Sequence, residues 1–238
     1  MLANVWIFTR RELKAYFNSP IAYIIIVLAL IISGWLFFLD FFLAGQATLR
    51  VLLTGWMPLV FLIFIPAITM RLIAEEKKSG TIELLVTLPV TDWEIVLGKY
   101  FASLILLVVT ILMTFSYAIT VSILGDPDGG AIAGQYLGLF LLGATYLAIG
   151  LFASGITSNQ IVAFLVAIVV IAAFYLVDNF VPFFPAPVAS VLEFLGVDYH
   201  FENLARGVID TKDLLYYASM IFLFLLLAVR ALESRKWK

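Results

Sequence analysis

Six long apolar runs separated by short polar turns set the pattern of this chain, near 21–43, 51–73, 98–124, 134–154, 160–180 and 213–232. Each is roughly 20 residues or longer, enough for a helix to cross a hydrocarbon core about 30 Å thick. None alternates apolar and polar residues over windows of about 10, as a membrane barrel strand would. The predicted fold class is therefore all-α, a polytopic membrane protein with six transmembrane helices.

Three stretches break the spanning pattern. Residues 2–17 predict an amphipathic helix lying along the membrane surface. Leu2, Val5, Trp6, Leu13, Tyr16 and Phe17 share one face with Thr9, while Asn4, Arg11 and Lys14 oppose it, and Ile7 falls on the wrong side. Residues 181–212 are too apolar for a solvated loop and too broken by Pro182, Pro185 and Pro187 to span. A pair of short helices dipping into the outer leaflet fits, because irregular backbone at that depth must pack on protein.

The third stretch, Arg71 to Lys99, is the long charged passage between apolar runs. Its preceding helix is expected to continue through Glu75, Glu76, Lys77 and Lys78 and to stop at a left-handed Gly80. Thr81 is placed to cap a short helix over 81–88, with Glu83 in its first turn, and Pro89 ends it. Thr91-Asp92-Trp93-Glu94 reads as a capping box for the next helix, with Val90 and Ile95 as its staple. Three caps in one loop predict a rigid lever.

Composition and charge sharpen this picture. The 238 residues are 64% hydrophobic and 13% charged, with a net charge of −2 that points to no nucleic-acid partner. The lack of cysteine excludes disulfides, cysteine nucleophiles and thiolate metal sites. Basic residues gather on one side: Arg10, Arg11 and Lys14; Arg71, Lys77, Lys78 and Lys99; then Arg230, Arg235, Lys236 and Lys238. The other side holds Arg50, Arg206 and Lys212. By the positive-inside rule both termini and the 71–99 lever are cytoplasmic. Thr-Arg-Arg-Glu-Leu-Lys at 9–14 has the look of a twin-arginine export signal, but the apolar run after it is too long, lacks a cleavage site and is followed by five more spans.

The proposed span interiors carry no Asp, Glu, Lys, Arg or His, which removes the groups that proton- and ion-coupled transporters use. No P-loop is present either, since Gly98-Lys99 is followed by Tyr100. Uphill transport would then need energy from another subunit docked on the lever. Thr110, Thr114 and Tyr117 share a face of the third span and are candidates for lining a pathway, against the commoner use of such groups as interhelical hydrogen bonds. Gly134 and Gly138 form a G-x-x-x-G, and Gly143, Gly150 and Ser154 add small surfaces for close packing. His200 lies between Asp198 and Glu202, a thin metal set with no second His or Cys, and a structural role is the expected one. No catalytic residue and no metal site is assigned.

Glu75-Glu76-Lys77-Lys78-Ser79-Gly80-Thr81-Ile82-Glu83-Leu84-Leu85, with Leu88-Pro89-Val90 and Gly98-Lys99, resembles the cytoplasmic signature of ABC-2-type exporter permeases. The resemblance extends over essentially the whole chain as one domain, 1–238: a connecting helix at 1–19, a cytoplasmic coupling loop at 74–97 and an extracytoplasmic re-entrant segment at 181–212. The opening WIFTRRELKAYFNSPIAYI and the later His200-Phe-Glu-Asn with Gly207-Val-Ile-Asp210 are most similar to the permease associated with bacterial gliding motility, the nearest rival being the permease of multicopper-enzyme maturation systems.

That resemblance implies a non-catalytic subunit in the bacterial inner membrane, working with a second permease copy as a homodimer and with two cytoplasmic ABC ATPase subunits. ATP and Mg would bind in those subunits, with no cofactor in this chain. It implies an auxiliary membrane subunit with a large extracytoplasmic domain. It assigns ATPase docking to Ser79, Gly80, Thr81, Ile82, Glu83, Leu84, Leu85 and Pro89, and the connecting helix to Trp6, Arg10, Arg11 and Lys14. Two other classes stay open from the residues: an intramembrane enzyme, which would lean on Asp198, His200 and Glu202, and a membrane scaffold that docks an ATPase without transporting.

Overall fold

In the computed structural model, which describes residues 2–45, 48–82 and 89–234, the apolar runs are helices with chemically legible ends. Helix α1 runs Leu2–Asn18, and Ser19 then accepts from the Ile21 N–H to start α2, Pro20–Ala44, whose first residue needs no N–H partner. Helix α2 stops at Gly45, which takes φ +59°. A π-helical segment, Val51–Trp56, leads into α3, Met57–Thr69, and the Met57 N–H reaches back five residues to Leu52 O. The short α4 covers Ala74–Lys78.

Helix α5, Asp92–Leu124, is the longest of the described elements, and α6, Gly129–Ile156, follows on an Asp128 cap. Helix α7 is Gln160–Phe180, capped by Asn159, and a 3-10 turn at Val181–Phe183 leads to two short helices, α8 (Ala186–Leu195) and α9 (Val197–Ala205). Helix α10, Thr211–Glu233, starts on Asp210. Among the described residues there is no strand, and six stretches are long and apolar enough to cross a membrane.

Helix α6 is the hub. It packs against α3, α5, α7, α9 and α10, and most of it is buried, whereas α2 and α7 turn long rows of Ile, Val, Leu and Phe outward. Its glycines make the close contacts the sequence leads one to expect, with a particular partner. A Cβ on Gly134 would lie 2.2 Å from Leu204 O, and one on Gly138 would lie 2.6 Å from the Phe201 ring. The G-x-x-x-G therefore seats the short helix α9 on the hub. Further along, Gly143 meets Leu107 and Phe61, and Gly150 meets Thr69.

One predicted element differs. The helix expected to run unbroken from the second span through Lys78 is interrupted between Thr69 and Ala74. The Ile73 and Ala74 amides leave the helical pattern and turn to the Ser154 hydroxyl of α6, each at 3.0 Å. That hydroxyl donates in turn to Met70 O at 3.0 Å. Ser154 thus satisfies the backbone at the break and ties the start of the charged lever to the end of the hub.

Candidate functional site

One end of the bundle gathers α1, α4, the first turns of α5, the last turn of α6 and the close of α10. Past the break at 70–73, the lever takes the predicted form at Gly80 and at Thr91. Gly80 has φ +71° and ends α4. The Ser79 hydroxyl donates to Glu75 O at 2.9 Å and shares a hydrogen bond with Thr81 Oγ1 at 2.9 Å. Ile82 is anchored in the core, while Pro89 is exposed. Glu83, Leu84 and Leu85, with the rest of the short helix expected at 81–88, lie outside the described residues. Past it the capping box forms: the Glu94 N–H donates to Thr91 Oγ1 at 3.3 Å, and the Thr91 N–H to Glu94 Oε2 at 2.9 Å. Val90 packs against the same core as Ile95.

Helix α1 lies across the start of α5, and its buried face takes only part of the predicted one. Val5, Phe8 and Thr9 are buried, with Asn4, Glu12, Leu13 and Tyr16 half-buried, while Trp6, Ile7 and Phe17 face outward. The reason is hydrogen bonding. Asn4 donates to Glu94 Oε1 at 3.1 Å, and Thr9 Oγ1 donates to Val5 O at 2.9 Å and to Gly98 O at 3.2 Å. Glu12 pairs with Lys99 at 3.1 Å, and Tyr16 OH donates to Ile68 O at 3.4 Å. Burial holds the Tyr16 phenol well above its ordinary range. Polar groups go inward because α5 and α3 supply partners. Bulky apolar ones go outward, where a membrane interface can take them. Gly98 permits the crossing, since a Cβ there would stand 2.4 Å from Phe8 Cβ.

Trp6, Arg10, Arg11 and Lys14 share the exposed face of α1, around a shallow groove that also includes Ile7 and Asn18. Arg11 reaches Glu76 at 3.5 Å. Lys99 was expected at the edge of a loop, but it is 1% exposed and inserted between Glu76 Oε1 at 2.8 Å and Glu12 Oε1 at 3.1 Å. Asp213, at the first residue of the proposed sixth span, is also fully buried. Charge therefore enters the bundle at both ends. Lys77 donates to Gly155 O of the hub, and Arg71 holds Glu75 at 2.8 Å.

Thr110, Thr114 and Tyr117 are engaged in the packing of α5. Thr110 donates to Leu106 O at 2.9 Å, and Thr114 to Ile111 O at 2.7 Å. Tyr136 of α6 donates to Thr114 O at 2.9 Å, and Tyr117 OH to Leu30 O of α2 at 3.1 Å. The Thr110 hydroxyl is thus spent on its own helix, that of Thr114 on its own helix and on Tyr136 OH at 3.4 Å, and that of Tyr117 on α2.

The opposite end carries the His200 cluster, and its membership is corrected. Asp198 and Glu202 are two residues from His200 on a helix and so face away from it. The partner is Asp213 of α10, whose Oδ1 is 2.6 Å from His200 Nδ1, with both residues fully buried. His200 Nε2 is 3.1 Å from Phe194 O, and a carbonyl only accepts, so that nitrogen carries a proton. The imidazole stacks on Tyr216 with centroids 3.9 Å apart. Both ring nitrogens are spent on joining α8, α9 and α10, which leaves an enzyme reading without its imidazole. Asp198 turns instead toward Asp178, Glu193, Tyr199 and Glu202 around an open acidic hollow. Burial, then the Asp178 and Glu202 charges, raise its carboxyl to about 6.

Sequence reasoning gave no role to Glu12 or Asp213, and took Glu76 and Lys99 only as loop charges within a signature and Ser154 only as a small packing surface. One signal was present for Lys99: Ile95, Val96, Lys99 and Ser103 fall at helical spacing, so a buried face predicts a buried lysine.

Comparison with known proteins follows from this end-to-end architecture. The profile of a family described as "ABC-2 family transporter protein" matches residues 21–232. Curated relatives include the probable multidrug ABC transporter permease YbhR of Escherichia coli, from strains K12 and O157:H7, each 27% identical over 147 residues. The aligned stretch covers 59% of this chain and 38% of those relatives.

Proposed function

This chain belongs to the ABC-2 family of transporter proteins, and from that premise we propose that it is the permease subunit of an ATP-driven exporter in the bacterial inner membrane. The end bearing α1 and α4 is then cytoplasmic, in keeping with the basic residues gathered there. Residues 79–90 dock a separate ATPase, with two ATPase copies and two permease copies completing the transporter. ATP and Mg act in those ATPases. The observation that carries the reading is the construction at the cytoplasmic end. The segment that follows the charged α4 is held between two defined helix ends, at Gly80 and at Thr91, with α1 strapped over the second of them through Asn4, Thr9 and Glu12. A loop that only joined two spans would need none of these ties.

The finer reading, a gliding-motility-type permease with an auxiliary membrane subunit, rests on the opening segment and on residues 200–210. The curated relatives carry another description, so the proposal stops at the exporter permease and does not name its cargo. The test is a pull-down of the detergent-solubilised protein from its native host, with mass spectrometry of what comes with it. A Walker-type ATPase is expected in the eluate, absent when residues 79–90 are deleted. An ATPase-free eluate under gentle conditions, or one in which the deletion changes nothing, overturns the docking role.

A further inference from the structure

Lys99 is the buried cation of this structure for which neither the fold nor the family membership accounts. Its side chain is 1% exposed, and three elements hold its ammonium: it rises from α5 and donates to Glu12 of α1 and to Glu76 of α4. Arg11, one residue from Glu12, meets the same Glu76 oxygen at 3.5 Å. Two cations and two carboxylates therefore close a neutral cluster at the junction of three helices. Filling this space with apolar side chains would avoid the desolvation of Lys99, Glu12 and Glu76, so packing alone does not explain the choice.

The placement of the members does. Glu76 lies one turn before Ser79 and Lys99 two turns after Thr91, so the two ends of the 79–90 segment are both tied into the cluster. Glu12 and Arg11 tie α1 into it as well. Each flanking end is stiff: α4 is bolted to the hub through Ser154 and Lys77, and α5 begins on its capping box. Arg11 holds Glu76 Oε1 only at 3.5 Å and keeps an exposed side chain, so Lys99, with its two shorter pairs, is the member that closes the junction.

We propose that Lys99 is a positioning residue that makes α1, α4 and α5 move as one body, so that displacement of the 79–90 segment by the ATPase reaches the spans through α1 and α5 together. This rests on the ATPase-docking reading above. Lys99 touches no substrate or nucleotide and acts through Glu12 and Glu76.

The experiment uses the complex purified from the native host, comparing wild type with Lys99→Met, Lys99→Arg and Glu12→Gln. ATPase retained per permease is measured first, then kcat and KM for ATP in the complex, against the free ATPase. Lys99→Met is expected to retain the ATPase and its KM, but to lose the permease-dependent part of kcat by roughly tenfold, the scale of a typical coupling free energy. Lys99→Arg, which can serve two carboxylates, restores it. Glu12→Gln, which spares the 2.8 Å Lys99–Glu76 pair, gives an intermediate loss and serves if Lys99→Met does not fold. Wild-type kcat in both Lys99→Met and Glu12→Gln overturns the proposal while the docking reading stands, as does a loss in which KM rises with kcat unchanged. If wild-type protein itself brings down no ATPase, the docking reading fails and takes this one with it.

Discussion

At the scale of single residues, burial and partner geometry override neighbours in sequence. Asp198 shows the consequence for pH. Its carboxyl is raised to about 6 by burial and by Asp178 and Glu202, against about 3.9 for a free aspartate. A folded-state value above the unfolded one means that the charged form is disfavoured in the fold. The cost is present in full above about pH 6, is relieved as pH falls through that value, and vanishes below about pH 4. Asp198→Asn is therefore expected to raise Tm at pH 7.5 and to leave it unchanged near pH 4. Thermal unfolding of the purified protein across that range checks it, and an equal gain at both pH values would remove the electrostatic cause.

His200 carries the residue-scale lesson about reading sequence. Nearness along the chain offered Asp198 and Glu202, but helical geometry points them away, and the true partner, Asp213, lies on another helix. No spacing rule links two helices whose packing is not yet known. Lys99 was closer to legible, because its own helix places it among Ile95, Val96 and Ser103. What could not be read was the pair of carboxylates that makes burial tolerable there.

At the scale of elements, the ends were the most readable features. Gly80 and the Thr91–Glu94 box depend on local backbone chemistry, and both are present as predicted. Faces were less readable. The G-x-x-x-G at 134–138 announces close packing without saying against what, and its partner is the short helix α9, where a spanning helix would have been the ordinary guess. Gly134→Ala puts a methyl against the Leu204 carbonyl, a backbone atom that cannot rotate aside. It is expected to cost about 1–3 kcal/mol, the usual penalty for overpacking. Gly129→Ala, where nothing lies within 4 Å, should be neutral or slightly stabilising. Denaturation of the two variants side by side tests this, and equal stability would mean that α9 is not seated on Gly134.

At the scale of the whole molecule, the two ends of the bundle are built differently. One is a charged junction of α1, α4 and α5. The other joins α8, α9 and α10 through a buried His–Asp pair and carries an acidic hollow. The proposed orientation puts the first in the cytoplasm. Because the chain has no cysteine, single introduced cysteines report topology without background. Ser79→Cys should resist a membrane-impermeant maleimide applied outside intact spheroplasts, and Asp126→Cys should react. The reverse pattern would invert the molecule and move the docking segment to the wrong side for any cytoplasmic ATPase.

Sequence by itself determined the class of this protein, the number and approximate limits of its spans, the capped ends of its lever and the family it belongs to. The family rests on the match of its sequence profile, and the others rest on hydropathy and backbone chemistry, which act over a few turns of chain. Tertiary structure decided which face of α1 is buried, how the second span is broken at Ser154, and where Lys99 and His200 find their counter-charges. Those outcomes depend on groups brought together from distant parts of the chain. A polar side chain can be buried only where another element supplies its partner, and which element that is becomes fixed when the helices pack.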